Sequence, residues 1–274
     1  MIAGTQKTSN LRLTLGLLAA SYSVYGCSAA TAAQVASRAF PASAAPASRP
    51  APKGPGSLAG VWLVAGYKSS RATAAERAAV TVEGKPPPLL PAAAELVKKR
   101  IADADRGYPF ANTLTYCLPG GMPLMIMAGA PYPIQILETP GQVSMLFEEQ
   151  NHFRIIRLDA KHPEDPDPSY MGNSVGHWEG ETLVVDTVAL TDHTTIDQIG
   201  TPHSEDLHVV ERFRRVDANT LEVLVTLDDP KTFSRPWQTR AIYKIRPPGV
   251  GLSEYICENN RNMPDAQGRM GFQR

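Results

Sequence analysis

Val175-Gly176-His177-Trp178-Glu179-Gly180-Glu181-Thr182-Leu183-Val184-Val185-Asp186-Thr187-Val188 is the stretch on which the fold is read. Two runs rich in β-branched and apolar residues flank a glycine turn, the pattern of a β-hairpin. A two-residue turn at Glu179-Gly180 predicts that Trp178 pairs with Glu181, His177 with Thr182 and Asn173 with Asp186. His177 and Asp186 then share a face about 13 Å apart along the ladder.

The same punctuation extends in both directions. Strands are predicted at Ile134 to Glu138, Val143 to Glu149, Phe153 to Leu158, His208 to Val216, Leu221 to Leu227 and Arg240 to Ile245, separated by turns such as Thr139-Pro140-Gly141 and Asp217-Ala218-Asn219. Eight or nine strands joined mostly by tight turns form an antiparallel meander, and closure removes its edges. A barrel of about eight strands either packs solid or holds one small ligand. Upstream, Ala92 to Ala102 sets Ala93, Leu96, Val97 and Ile101 against charged residues, an amphipathic helix bounded by Pro86-Pro87-Pro88 and Arg106-Gly107.

Leu58-Ala59-Gly60-Val61-Trp62-Leu63-Val64 is a short apolar strand around Gly-x-Trp. It resembles the opening strand of lipocalin-like barrels, whose tryptophan plugs one end. The expected fold is therefore mainly β, an antiparallel lipocalin-like barrel of about eight or nine strands with one N-terminal amphipathic helix.

Strand period sorts the polar residues. In His208 to Val216, Val209, Glu211, Phe213 and Arg215 share one face, and Leu221, Val223, Val225 and Leu227 form the matching face of the next strand. Glu211 is then a carboxylate inside the barrel, paired with Arg215 or another cation, or raised in pKa if it is not. Gly200-Thr201-Pro202-His203-Ser204-Glu205-Asp206-Leu207-His208 concentrates imidazoles and carboxylates beside that strand. His203 and Glu205 point the same way if extended, which suits an acid-base pair or two metal ligands. A turn network, a solvated loop and adventitious metal binding are the competing readings. Asp192-His193 lies on the preceding loop, close enough in sequence to reach the same mouth.

Gly172 to Thr187, Thr201 to Phe213 and Cys257-Glu258-Asn259-Asn260 together resemble a family of exported bacterial proteins. The resemblance spans about Cys117 to Asn260. It supports the domain extent and the choice of motifs, and implies no particular activity. There is no Gly-x-Ser-x-Gly, P-loop, Gly-x-Gly-x-x-Gly or His-Glu-x-x-His, which removes most of the case for serine-hydrolase, ATPase, dehydrogenase and zincin chemistry.

Export is read from the beginning of the chain. Lys7 and Arg12 precede the apolar run Leu13 to Val24, which ends in Val24-Tyr25-Gly26-Cys27, the layout of a secretory signal. The ending resembles the bacterial lipobox, so Cys27 is expected to be acylated after cleavage and to anchor the protein durably. Ordinary cleavage after Ser28-Ala29-Ala30 with release is the alternative. The domain plan is a signal over 1–26, an Ala/Pro/Ser-rich tether over 27–57 that lacks the apolar residues to fold, and a barrel over 58–274. The expected location is the outer membrane or periplasm, or the soluble periplasmic or secreted pool without acylation.

With Cys27 assigned to lipid, Cys117 and Cys257 are left. In an oxidising compartment one disulfide is expected, with two buried free thiols as the competing reading. The 27 Lys plus Arg balance 27 Asp plus Glu, and the absence of a basic stripe argues against nucleic acid as a partner.

The functional expectation is a tethered barrel that binds a small apolar or aromatic molecule and acts on it by cofactor-independent acid-base chemistry, as a lyase, dehydratase, isomerase or hydrolase. His203, His208, Glu205 and Glu211 are the catalytic candidates. His177, Asp186, His193 and Arg215 are the substrate-binding candidates. No metal or other cofactor is assigned, and the membrane is met through the lipid anchor. The alternative is a non-catalytic ligand-binding or envelope lipoprotein. No oligomeric state follows from the sequence.

Overall fold

The hairpin that opens the reading is present with a shifted turn. β5 (Asn173–Glu179) pairs with β6 (Thr182–Val188) from Glu179↔Thr182 to Asn173↔Val188, so Gly180-Glu181 is the turn. The reason is local: Gly180 sits at φ 60°, and a glycine at the first of two turn positions supplies the positive φ that primed hairpin turns require. Asp186 now faces Val175 and His177 faces Val184. The two still share a face, about 7 Å apart along the ladder.

The computed structural model describes residues 56–68, 72–127 and 131–257. The predicted signal, Cys27, almost all of the predicted tether and the tail after Cys257 lie outside the described residues. The other strands are β1 (Gly60–Val64), β2 (Ile134–Thr139), β3 (Gln142–Phe147), β4 (His152–Leu158), β7 (His208–Asp217), β8 (Thr220–Asp228) and β9 (Trp237–Ile245). All nine are neighbours in sequence order, and the β1–β9 pairing, with Trp62 opposite Ile245, closes the barrel. One expectation needs correcting: β4 and β5 run parallel. A parallel step requires a crossover rather than a hairpin, and the connection 159–172 provides it.

Helices cover the outside and one end. α1 (Ala74–Arg77) begins with a capping box, in which Thr73 and Glu76 satisfy each other's backbone N–H groups. α2 (Pro91–Asp105) is the predicted amphipathic helix, with proline in its first turn. α3 (Leu124–Met127) is buried and caps the interior, where the Tyr243 hydroxyl donates to the Ile126 carbonyl at 2.7 Å. Among the described residues no helix is long and apolar enough to cross a membrane.

The interior is filled. Ile136, Met145, Ile156, Leu183, Val185, Val209, Phe213, Leu221, Val223, Val225, Leu227 and Tyr243 form one cluster with Met122, Met125 and Ile126 of the capping segment. Trp62 is fully buried at the other end, its indole N–H bonded to the Leu58 carbonyl at 2.8 Å. Burying such a side chain stabilises by about 1.5 to 3 kcal/mol, so large residues rather than a lumen occupy the space that nine strands enclose.

Candidate functional site

Glu211 points inward as predicted and is completely buried. Its partner is Arg154 of β4, not Arg215. Arg154 Nη1 donates to Glu211 Oε1 at 3.0 Å, and Nη2 donates to Oε2. The remaining donors are absorbed by Ser174 Oγ at 2.9 Å and Thr187 Oγ1 at 2.7 Å. A buried guanidinium–carboxylate pair with its other hydrogen bonds satisfied is a structural unit, and it leaves Glu211 no free oxygen with which to reach a guest.

The other predicted residues are dispersed. His203 is buried, with Nε2 2.7 Å from Thr194 Oγ1 and Nδ1 2.9 Å from the Ser204 carbonyl oxygen. Burial lowers its pKa despite the Ser204 carbonyl, so it is a neutral loop residue with both nitrogens engaged. Glu205 is exposed and makes no pair with His203. The loop is not extended there, because Ser204 turns back to bind Asp229 through both its backbone N–H (2.7 Å) and its hydroxyl (2.8 Å). His193 is exposed beside Asp192. His177 is exposed on the outer wall beside Glu179. Arg215 lies over the Trp62 ring, 5.3 Å from its centroid.

His208 and Asp186 are brought together, on the outer wall. Asp186 is shared between two imidazoles: Oδ2 lies 2.9 Å from His208 Nε2, and Oδ1 2.9 Å from His162 Nε2. His162, from the crossover, also reaches Asn173 Oδ1 at 2.8 Å. The hydrogen bond to Asp186 raises the His208 pKa against the effect of partial burial, with Asp228 adding to it. The Asp186 pKa is lowered, first by His208 and then by His162. Among the described residues no three His, Cys, Asp or Glu side chains are grouped to hold a metal ion.

A different group of residues meets at the α3 end. Val64, Met125, Tyr132, Pro133, Ile134, Phe147, Glu149 and Tyr243 line a recess of about 250 Å³ counted to its open side. Its enclosed part, about 10 Å³, has room for about one water molecule. Glu149 is its one carboxylate and is buried. Tyr67, hydrogen-bonded to Gln198, lies within electrostatic reach of Glu149, Tyr132 and Arg77. Tyr255 shares a hydrogen bond with Tyr132 and stacks edge-on against it at 4.9 Å. Burial raises the Tyr67 pKa and pushes that of Tyr255 up to about 12, so both phenols stay protonated at neutral pH.

The turn that carries Glu149 is held under constraint. Gln150 and Asn151 both adopt left-handed backbone, at φ 57° and 54°, which costs about 1 to 3 kcal/mol per residue. Gln150 Nε2 donates to the Leu114 carbonyl at 3.2 Å, and Asn151 Nδ2 to the Tyr255 carbonyl at 2.7 Å. Those two anchoring segments are joined by the Cys117–Cys257 disulfide, as the sequence predicts. Sequence reasoning missed this site because Glu149 reads as the end of a strand. The available signal was the polar run Glu148-Glu149-Gln150-Asn151, too polar to continue β3.

The chain matches no protein-family model, no curated protein and no solved structure.

Proposed function

We propose that this protein is an exported barrel, tethered through acylated Cys27, that binds a small apolar or aromatic molecule over the open side of the α3-end recess and acts on it by acid-base chemistry. Glu149 is the proton-accepting carboxylate. The observation that carries the reading is a buried carboxylate in an otherwise apolar and aromatic recess, beside two phenols held protonated. A carboxylate so placed removes a proton from an acidic C–H or O–H. Phenolic donors stabilise negative charge that develops on a neighbouring oxygen. The filled interior favours a ligand seat at the mouth over one in a lumen.

Phenol is the binding probe, followed by NMR of tyrosine-labelled full-length protein. Turnover is followed by mass spectrometry of a bacterial periplasmic extract incubated with the protein. Phenol is expected to shift Tyr132, and at least one compound to be consumed by the wild type, about 100-fold or more slowly by Glu149→Gln. Equal consumption by Glu149→Gln would overturn the chemistry. Binding without any turnover would replace this reading with the non-catalytic binding lipoprotein. An intact mass of the mature protein that lacks acyl chains on Cys27 would remove the tether.

A further inference from the structure

At the other end of β1 from Val64, a groove of about 560 Å³ is lined by Gly60, Val61, Arg215, Ala218, Asn219 and Ile245 together with the segment 246–250. We infer that this groove is a binding site for a small organic carboxylate with an apolar body, held by Arg215 and Arg246. It is separate from the recess of the proposed function and rests on no part of that reading.

Charge is the first argument. Two guanidinium groups line the groove and no carboxylate does. Among the described residues neither arginine forms an ion pair. The other arginines of β7 and β9 on this wall each face a carboxylate: Arg212 pairs with Glu179, and Arg214 and Arg240 share Glu222. An uncompensated pair of cations in one concave site is complementary to an anion.

Geometry is the second. Arg215 is fixed rather than free, because Nη1 donates to the Ser57 carbonyl at 3.1 Å, Nη2 to the Ala218 carbonyl, and the plane lies over Trp62. A register shift between Arg215 and Asp217 in β7 re-aims the strand there, as β-bulges do. Since the two carbonyls use only part of the guanidinium's five N–H donors, the rest are available to a carboxylate. The opposite wall is equally set. Arg246 N–H is bonded to the Val61 carbonyl at 2.7 Å, and the Pro247 to Val250 turn is closed at 3.2 Å by the Val250 N–H on the Pro247 carbonyl.

Composition is the third. Val61, Ile245, Pro247, Pro248 and Val250 supply apolar walls around the two charges, and the volume falls in the range of small-molecule sites, about 300 to 1,000 Å³. A bare inorganic anion leaves those walls unused, and an uncharged hydrocarbon leaves the guanidinium groups unpaired. An aliphatic or an aromatic body would both fit this chemistry.

Isothermal titration of the full-length protein with decanoate, phenylacetate, decanol and inorganic phosphate separates these cases. At least one of the two carboxylates is expected to bind saturably, and which one identifies the body as acyl or aromatic. Decanol and phosphate should bind at least about tenfold more weakly. Arg246→Gln, an exposed substitution, should weaken carboxylate binding by about 10- to 100-fold, while Arg240→Gln and Glu149→Gln leave it unchanged. Absence of carboxylate binding, equal binding by decanol or phosphate, or wild-type affinity in Arg246→Gln would each overturn the site.

Discussion

Glu211 and Asp186 sit on adjacent strands of one wall, a single ladder step apart and on opposite faces. Val185 pairs with Glu211, and Asp186 with Val210. Both carboxylates accept hydrogen bonds from cationic or titratable partners at both oxygens. Their exposure differs most: the Glu211 side chain is 0 % exposed and that of Asp186 38 %. The same chemistry therefore has two meanings. Inside, the pair has no water to fall back on, and its removal leaves an uncompensated charge. Outside, water and salt substitute for either partner, so the array adds little to stability and is free to respond to pH.

The largest effect is expected from breaking the inner pair. Glu211→Ala should destabilise the protein by about 3 to 5 kcal/mol, because Arg154 is then buried without a counter-charge. Replacing both, as Arg154→Met with Glu211→Leu, should recover most of that loss. Urea unfolding of the two variants measures it. A cost below about 1 kcal/mol for the single change would place Glu211 with the exposed carboxylates and dissolve the contrast.

The disulfide ranks next and carries the comparison to the recess. Cys117 and Cys257 are 140 residues apart in sequence, and a cross-link over so long a loop stabilises by about 2 to 4 kcal/mol. Replacing both by serine should lower stability by about that amount. It should also speed hydrogen exchange at 148–152 more than in β7 and β8, since Leu114 and Tyr255 grip the left-handed turn on either side of the bond. Uniform acceleration would show that the bond braces the whole barrel and not that turn.

These effects also separate what the sequence made legible from what it did not. Alternation located the strands within a few residues, and it put Glu211, Phe213 and the β8 valines on the inner face, because period-two patterning is a local property of each strand. Arg154 as the partner of Glu211 was not legible: the two are 57 residues apart and meet only when the parallel β4–β5 step brings Arg154 across to Ser174. His208 falls on the face opposite Glu211 by the same alternation, yet His162, which shares Asp186 with it, comes from a crossover that an all-antiparallel meander does not contain. Tyr132 of the Glu149 recess, and Tyr67 and Tyr255 within electrostatic reach of Glu149, come from three distant loops. Nothing in the spacing of those residues announces that they meet.

The smallest effect lies in the outer array, where the sign of the pH dependence discriminates best. The His208 pKa is raised, so its contribution is fully present below the unfolded histidine value of about 6.5 and is lost as pH rises through the higher folded value. Asp186 is lowered, so its contribution is present above the unfolded aspartate value of about 3.8 to 3.9 and is lost as pH falls through the lower folded value. The His208–Asp186 contact should thus join β6 to β7 most firmly between those two unfolded values and loosen above them as His208 deprotonates. Because these side chains are only partly buried and water reaches them, the contribution should stay under about 1 kcal/mol. Asp186→Asn should therefore barely move the urea midpoint. It should instead bring the His208 titration, followed by NMR, down toward the ordinary histidine value, and it should remove the pH dependence of amide exchange around His208 in β7. An unchanged His208 titration in that variant would show that Asp228, opposite it on β8, sets the charge of this wall in place of Asp186.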